Sequence, residues 1–350
     1  MSAPRGGPIY ARAPDHLGDV VMAIPALHRL AERYQGRGVD VWCHSALAPV
    51  LETAALPVDV MAFRRSAAVW KEAARIRDVG YEASYLFTPS FSTAAVACMA
   101  GIPIRRGTRA GIRGLLLNDR SVRPEVPGEH RVSSYMRLVD PEWKGGSPPP
   151  PRLPIRERAL EQFRQLVAGR FERPAVGIFP GANAPASRWP EGKFTALAGI
   201  LGQEVGTVVV FGGPKQEVLA ARVAAGAKER GIDLGGRTNL GVLAAGFSEC
   251  DLVITNDGGP MHLAAAVGAS IIAIFGAGDP VRTGPLNLRA RVIRQSGLPC
   301  SPCGRSRCPR RGRGTLLPEA QGECLELIPV EAVVEAARQQ LKGTGASSDV

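Results

Sequence analysis

The sequence has no apolar run long enough to cross a bilayer, which takes about 18 residues, so it predicts no transmembrane helix. No apolar block of signal-peptide length precedes Asp15 and Asp19 either. We therefore expect a cytoplasmic protein. Aromatic residues are scarce, at 5%, whereas alanine, glycine and valine are abundant, which is typical of α/β layers that pack through small side chains.

Acidic residues are too few to balance the basic ones. The chain has 43 lysines and arginines against 32 aspartates and glutamates, a formal net charge of +11. Such a charge favours an anionic partner. The partner could be a phosphorylated small molecule, an anionic membrane leaflet or a nucleic acid. Composition alone does not distinguish these three.

The chain of 350 residues is longer than an ordinary domain with a single hydrophobic core, and it is long enough for two domains of about 150 residues each. A segment rich in proline and glycine at residues 145–151 is the best boundary. This division gives an N-terminal domain over residues 1–150, a C-terminal domain over 151–328, and a terminal helix and tail over 329–350.

Short apolar runs alternate with helical patterns in both halves, which predicts two parallel, doubly wound α/β sheets. The predicted strands are residues 8–12, 39–43, 58–63, 83–87, 175–179, 207–211, 252–255 and 270–275. The predicted helices are residues 20–34, 67–78, 92–100, 190–201, 216–228, 240–247, 261–267 and 329–341, followed by a frayed tail from residue 343.

In open parallel sheets, ligands bind where the carboxyl ends of strands lead into helices. The first such loop contains Gly18 and Asp19. Glycine permits a tight passage of the backbone, and Asp19 is placed to act as a general base toward an alcohol. Aspartate is also common at helix N-caps, so the alternative is that Asp19 caps the first helix.

Two loops of the second half combine glycine with charged residues. Gly181 follows a strand, and Arg188 a few residues later is placed to meet a diphosphate. Gly213 follows the next strand, and Glu217 one turn on is a candidate acceptor for ribose hydroxyls. The alternatives are a solvated arginine and an ordinary acid at a helix start.

A third loop joins a strand to an alanine-rich helix. Gly258 and Gly259 leave backbone N–H groups open as far as Met261 at the helix N-terminus, which favours phosphate. Asp257 is itself negative, so we expect it to bind sugar hydroxyls. His262 falls in the first helical turn, where a core histidine bonded to the backbone is the alternative.

These motifs together resemble glycosyltransferase family 9, the bacterial lipopolysaccharide heptosyltransferases. The likeness extends over almost the whole chain in matching order and spacing. It rests on Leu17-Gly18-Asp19-Val20-Val21, Ala23-Ile24-Pro25-Ala26-Leu27, Pro180-Gly181 with Arg188-Trp189-Pro190, Asn256-Asp257-Gly258-Gly259-Pro260-Met261-His262-Leu263-Ala264, and Phe275-Gly276 with Asp279-Pro280.

The resemblance implies a GT-B fold, in which two Rossmann-like domains face each other across a cleft. The acceptor would bind the N-terminal domain and the nucleotide sugar the C-terminal one. It also implies metal-independent, inverting transfer of heptose from ADP-heptose to a lipopolysaccharide core or another glycan. Asp19 would be the base, with Gly18 on the acceptor side, while Asp257, Gly259 and His262 would hold the sugar and diphosphate.

One position departs from the family pattern. Many members carry lysine immediately before the position of Arg188, and this chain has Ser187 there. The phosphate charge then falls to Arg188, to Lys193, or to an arginine of the other domain.

Seven cysteines without a secretion signal argue against a disulfide framework. Cys43, Cys98 and Cys250 stand in apolar surroundings and are predicted to be buried thiols. The other four lie in a loop over residues 300–324 and form a candidate four-thiolate zinc or iron site: Cys300, Cys303, Cys308 and Cys324. The resemblance to family 9, whose members also carry cysteines here, away from the sugar site, implies that such a metal would be structural rather than catalytic. The second half of that pattern is irregular, so reduced thiols are the alternative. No cofactor is expected for catalysis.

The same loop holds five arginines within residues 305–314, which favours peripheral contact with anionic lipid at the inner membrane, or else a solvated basic loop. Two other functions stay open. One is a nucleotide-sugar epimerase of similar fold. The other is a basic, cysteine-rich nucleic-acid-binding protein, although the aromatic interleaving typical of that class is missing.

Overall fold

The computed structural model describes residues 7–64, 69–109, 111–119, 126–308 and 322–345, with side chains of the last helix described to residue 343. The chain divides into two compact units, Met1–Arg152 and Leu153–Val350. The division lies close to the proline-rich segment that marks the boundary in the sequence.

The first unit is built on a parallel sheet of five strands. These are β1 Ile9–Arg12, β2 Val39–His44, β3 Asp59–Phe63, β4 Ala83–Leu86 and β5 Ile104–Gly107. Their order across the sheet is β3-β2-β1-β4-β5. The sequence does not predict β5, because its two middle residues are arginines; Arg106 is nevertheless buried, since it pairs with Asp119 at 2.5 Å.

Five α-helices of the first unit are described, two of which the sequence does not predict. They are α1 Leu17–Arg33, α2 Ala48–Thr53, α3 Val69–Arg77, α4 Phe91–Met99 and α5 Arg131–Val139. The unpredicted helices are α2 and α5. Helix α1 begins earlier than the apolar pattern indicates, which brings Asp19 inside its first turn. Helix α5 packs along α1, and this contact places the two helices that carry the first site.

The second unit is built on a parallel sheet of six strands. These are β6 Ala175–Phe179, β7 Thr207–Gly212, β8 Gly231–Gly235, β9 Leu252–Asn256, β10 Ile271–Phe275 and β11 Ala290–Arg294. Their order is β11-β10-β9-β6-β7-β8. The sequence does not predict the two edge strands. β8 is short and begins and ends in glycine, and β11 begins and ends near arginines and is only half-buried.

The helices described in the second unit are α6 Glu157–Leu166, α7 Glu191–Leu201, α8 Glu217–Gly226, α9 Leu240–Glu249, α10 Gly259–Ala266, α11 Pro280–Thr283, α12 Glu323–Glu326 and α13 Val330–Gly345. α13 packs against α7 and buries Val333, Val334, Ala336 and Ala337 in the core of this unit. The terminal helix is therefore part of the second unit. It continues to Gly345, so the prediction of a frayed tail is wrong for residues 343–345, and residues 346–350 lie outside the described chain.

The inner strands of the second sheet are covered on both faces. β6, β7, β9 and β10 are buried along their whole length, which explains why they read as unbroken apolar runs. Burying one large apolar side chain contributes about 1.5–3 kcal/mol, so this sheet is a rigid base for the loops at its edge.

Each sheet has one point where the direction of strand addition reverses. It lies between β1 and β4 in the first sheet and between β6 and β9 in the second. The loops that follow two such neighbouring strands separate from each other and leave a crevice, which is where open α/β sheets bind ligands. Asp19 follows β1, and Asp257 follows β9. None of the described helices combines the length and apolar character of a bilayer-spanning segment.

Candidate active site

Asp19 lies in the first turn of α1 with its carboxylate half-buried. The N-cap of this helix is His16, so the interpretation of Asp19 as the cap is wrong. Oδ1 of Asp19 accepts a hydrogen bond from the hydroxyl of Tyr135 at 3.3 Å. Within the described residues no hydrogen bond reaches Oδ2, which leaves that oxygen able to accept a proton from a bound alcohol.

Tyr135 is a site residue that sequence reasoning missed. It lies on α5, is 6% exposed, and its ring contacts that of Phe87 at 5.5 Å between centroids. Burial and the nearby charge of Asp19 raise the pKa of Tyr135 well above its ordinary value, so the hydroxyl keeps its proton and donates it. Only the packing of α5 on α1 brings these two residues together.

Three buried arginines near the same edge of the first sheet already have partners within this unit. Arg12, at the end of β1, pairs with Asp15 at 2.6 Å and lies over the ring of Phe63. Arg106 pairs with an aspartate of its own unit. Arg113 donates to the carbonyl of Thr88 at 2.8 Å, and burial lowers the pKa of its guanidinium. These side chains are parts of the scaffold.

In the second unit, Asn256 joins two loops. Its side chain is 1% exposed at the end of β9. Oδ1 accepts from the backbone N–H of Trp189 at 2.9 Å, and Nδ2 donates to the carbonyl of Pro180 at 2.7 Å. Because β6 and β9 are neighbours, one amide reaches both ends of the loop after β6. The sequence contains no signal for this role beyond the position of Asn256 at the strand end.

Asp257 follows directly and is half-buried. Burial raises the pKa of its carboxyl to about 6. The carboxylate lies against Gly278, where a Cβ atom would stand 2.0 Å from Oδ2. Gly278 is thus a second residue that the sequence analysis missed, and its lack of a side chain makes room for Asp257.

The turn into α10 is open on the side of Gly258. This residue is the N-cap, and a Cβ atom there would meet only the ring of Pro260, at 3.9 Å. Packing against the described residues therefore does not account for glycine at this position, and contact of its backbone with a ligand stays a prediction. Gly259 is the first helical residue, and Met261 buries its side chain completely, so it offers a ligand only its backbone.

His262 is buried in the first turn of α10, where its backbone N–H donates to the carbonyl of Gly258 at 3.4 Å. Its burial agrees with the alternative of a core histidine. A contact between His262 and a ligand stays a prediction.

Gln216 links the two other glycine loops and was also missed. Its Oε1 accepts from the N–H of Gly213 at 3.0 Å. The same atom occupies the space beside Gly181, where a Cβ atom would be 2.1 Å away. Glu217 accepts from the N–H of Lys215 at 3.1 Å, which is the local bond expected of an acid at a helix start. The role of Glu217 toward ribose stays a prediction.

The two candidate cations of the second unit differ in their contacts. Arg188 donates from Nε to the carbonyl of Ala182 at 2.7 Å, which holds its guanidinium against the loop after β6. Lys193 donates from Nζ to the carbonyls of Glu326 and of Ile328, the latter at 2.9 Å. The ammonium group of Lys193 therefore fastens the segment between α12 and α13, and a phosphate contact remains a prediction for both residues.

The four clustered cysteines line one cavity of about 350 Å³, together with Arg305 and Glu323. Burial, with Cys308 and Cys303 nearby, raises the pKa of Cys324. Among the described residues no three histidine, cysteine or carboxylate side chains already stand in metal-binding geometry. Three of the five loop arginines, Arg310, Arg311 and Arg313, lie outside the described residues.

The other cysteines follow the prediction in part. Cys43 and Cys250 are buried, and burial raises the pKa of the Cys43 thiol to about 11. Cys98 is only half-buried, contrary to the prediction, because it lies near the end of α4, where the helix reaches the surface.

Comparison with known proteins decides the family. The model of glycosyltransferase family 9 (heptosyltransferase) matches residues 69–312. This chain belongs to that family. The match includes the loop with Arg188 and the turn from Asp257 to His262, and it begins after Asp19.

Individual members of family 9 agree with this result. The chain is 31% identical over 309 residues to lipopolysaccharide heptosyltransferase 2 of Escherichia coli strain K12. The aligned region covers 82% of this chain and 87% of that relative. It is similar to the solved structure of E. coli ADP-heptose LPS heptosyltransferase II, with a TM-score of 0.80, 27% identity, and coverage of 96% and 98%. The predicted GT-B fold class and the prediction of a glycosyltransferase are confirmed.

A more distant structure is that of an iron-containing dodecameric glycosyltransferase, TibC, from enterotoxigenic E. coli. It has a TM-score of 0.60 and 15% identity, and it covers 98% of this chain and 78% of that one. At this identity the likeness shows a shared fold alone.

Proposed function

We propose that this family 9 glycosyltransferase transfers heptose from ADP-heptose to the core of lipopolysaccharide. The observation that carries the proposal is the glycine turn from Asp257 to His262, which is open at Gly258 and held at the strand-order reversal by Asn256. The names of the relatives supply the substrate: one is a lipopolysaccharide heptosyltransferase, and the other is an ADP-heptose enzyme.

On the acceptor side, Asp19 is the proposed general base. Its carboxylate takes the proton of an acceptor hydroxyl while that oxygen attacks the anomeric carbon of heptose. The bond from this carbon to the diphosphate breaks, ADP leaves with the electron pair, and the configuration inverts. General-base assistance of this kind contributes a factor of about 10² to 10⁴ in rate.

On the donor side, the backbone N–H groups from Gly258 to Met261 and the side chain of Arg188 offset the charge that grows on the leaving diphosphate. Asp257 accepts hydrogen bonds from hydroxyls of the sugar. Gly181 and Gly213 let the nucleotide approach the backbone, with Glu217 near the ribose. The transfer itself needs no metal.

Transfer assays with the purified protein test this function. ADP-heptose and a core acceptor that lacks the transferred heptose should together release ADP and yield an extended acceptor. ADP-heptose alone should remain unchanged, whereas an epimerase would convert it. A shift of thermal unfolding with ADP-heptose, but not with GDP- or UDP-sugars, defines the donor, since a ligand at 100 times its Kd stabilises by about 2.7 kcal/mol. Salt-sensitive nucleic-acid binding without any response to nucleotide sugars would favour the nucleic-acid alternative.

We also infer that the cysteine cavity holds a structural zinc or iron ion. Four thiols that line one cavity are a suitable donor set for such an ion. Elemental analysis of purified protein should find close to one metal per chain, lost in Cys303→Ser and kept in Cys98→Ser, whose thiol lies outside the cavity. Metal well below one per chain in the parent protein rejects the site.

Peripheral contact with an anionic membrane is the last part of the proposal. The first unit exposes large apolar side chains on α3 and on the 3-10 turn Gly111–Leu115, which follows β5: Trp70 is 61% exposed, Ile112 71% and Leu115 85%. Lys71 and Arg109 lie beside them in the sequence and are exposed. Sedimentation with phosphatidylglycerol vesicles should weaken in Ile112→Ser/Leu115→Ser and persist in Leu288→Ser, an exposed residue of the second unit. Equal sedimentation of all three proteins would contradict this contact.

A further inference from the structure

The hydroxyl of Tyr135 contacts the carboxylate of the proposed base. It donates to Oδ1 of Asp19 at 3.3 Å. Arg131 lies one turn earlier on α5, and its positive charge opposes the rise in the pKa of Tyr135. Because a nearby cation favours the ionised form of a phenol, it makes the hydroxyl a stronger hydrogen-bond donor to the carboxylate.

Packing fixes the tyrosine itself. Tyr135 is almost fully buried between α5 and the strand end at Phe87, so its ring has no room to turn away. Arg131 and Tyr135 belong to the same helix, and α5 packs against α1. The relative positions of guanidinium, hydroxyl and carboxylate are therefore set by two helices in contact.

A comparison within the same unit shows that burial of a tyrosine does not by itself require such a partner. Tyr10 is fully buried on β1, and its hydroxyl has no hydrogen-bond partner among the described residues. Its ring alone accounts for its place in the core, against Trp42 and Tyr81. Tyr135 differs from Tyr10 in that its hydroxyl meets the carboxylate of the proposed base.

We propose that Tyr135, supported by Arg131, is the positioning residue of the transfer reaction. Its hydrogen bond occupies Oδ1 of Asp19 and holds the carboxylate in one rotamer, so that Oδ2 faces the acceptor hydroxyl. This inference rests on the proposed role of Asp19 as the base.

Tyr135→Phe removes the hydroxyl and keeps the ring. We expect kcat to fall about 10- to 100-fold, as for other small misplacements of a catalytic group, while KM for ADP-heptose and for the acceptor changes less than about threefold. The acidic limb of the profile of kcat/KM against pH should move to higher pH, since the carboxylate loses a donor. Arg131→Met should shift both quantities in the same direction by a smaller amount.

Tyr10→Phe is the matched control and should keep the kcat, the KM values and the pH profile of the parent. Thermal unfolding and ADP affinity of each variant show whether it is folded. A further arm adds Tyr135→Phe to Asp19→Asn, where it should have no additional effect on kcat, because the hydroxyl acts through that carboxylate.

The outcomes separate the two claims. Parent-like kcat and pH profile in folded Tyr135→Phe overturn the positioning role and leave the base intact. An equal loss in the Asp19→Asn background also overturns it, since the hydroxyl would then act elsewhere. Parent-like turnover of Asp19→Asn itself removes the base and the positioning role together, and absence of transfer by the parent protein removes the proposed function.

Discussion

Oδ1 of Asn256 accepts a hydrogen bond from the backbone N–H of Trp189 at 2.9 Å. The two residues are 67 positions apart in the chain, and both are almost completely buried. Through this bond the end of β9, which leads into the glycine turn, is fixed to the segment that carries Arg188 into α7. The proposed phosphate ligands of two separate loops thus share one amide.

Replacing Asn256 by alanine should loosen both loops. The change leaves the N–H of Trp189 and the carbonyl of Pro180 unpaired in a buried place, and each such group costs about 1–3 kcal/mol. We expect the free energy of unfolding to fall by about 2–4 kcal/mol and ADP to bind at least 10-fold more weakly, as measured by denaturant unfolding and calorimetry.

Asn118→Ala is the matched control for that experiment. Asn118 makes the same pair of bonds, from the N–H of Arg105 at 2.8 Å and to the carbonyl of Pro103 at 2.7 Å, but it is exposed and belongs to the first unit. It should lose far less stability because water replaces the bonds, and its ADP affinity should be that of the parent. Equal effects of the two variants on ADP affinity would contradict the role of Asn256.

The raised pKa of Asp257 makes stability depend on pH. Burial raises the folded-state pKa to about 6, above the value of about 4 for an unfolded chain, so the folded protein binds the extra proton between these values. Stability from this group is therefore present below about pH 4 and is lost as the pH rises through about 6. Asp257→Asn removes the dependence.

The free energy of unfolding of the variant is compared with that of the parent at pH 5 and at pH 8. We expect this difference to increase by about 1–2 kcal/mol in favour of the variant from pH 5 to pH 8. Other titrating groups cancel in this comparison. A difference that is the same at both pH values would show that the carboxyl of Asp257 has an ordinary environment.

Gly278→Ala should displace the carboxylate of Asp257. The new Cβ atom would lie 2.0 Å from Oδ2, far inside contact distance, so the carboxylate must move from its place beside the glycine turn. We expect affinity for ADP-heptose to fall at least 10-fold, with a smaller effect on ADP, which lacks the sugar.

Gly343→Ala serves as its control, because a Cβ atom there meets no described atom within 4 Å. That variant should bind the donor as the parent does. If Gly278→Ala retains the parent's affinity for ADP-heptose, Asp257 is not a sugar ligand.

Substitutions of Arg188 and Lys193 should have different effects on stability and on ADP affinity. Lys193→Met releases the carbonyls of Glu326 and Ile328, so we expect a loss of about 1–2 kcal/mol in stability and an ADP affinity within about twofold of the parent. Arg188→Met should weaken the binding of ADP at least 10-fold and should change the binding of adenosine little, as measured by calorimetry. A loss of ADP affinity in Lys193→Met as large as in Arg188→Met would make the lysine the phosphate partner.

The sequence predicts those parts of the fold in which local pattern and tertiary burial agree. β6, β7 and β10 are unbroken apolar runs, and their predicted bounds match the observed ones closely. β5 and β11 are invisible in the sequence because each contains two arginines, whose partners are supplied from elsewhere in the chain. Tertiary contacts determine such strands, and a single sequence does not contain those contacts in readable form.

The candidate site divides in the same way. Asp19, Asp257 and Gly258 stand at strand ends beside glycine, so their positions are predictable from the chain alone. Tyr135 is 116 residues away from Asp19, and no periodicity links the two helices that carry them. Gln216 and Gly278 act through the space that they fill or leave empty, which only the folded structure defines.

The most direct test of the account is the turnover of Asp19→Asn in the transfer of heptose from ADP-heptose to a core acceptor. The amide keeps the shape of the side chain but does not take the proton of the acceptor hydroxyl. We predict that kcat falls by a factor of at least about 10², while the affinity for ADP stays that of the parent. Turnover close to that of the parent would contradict the central claim that this carboxylate is the base.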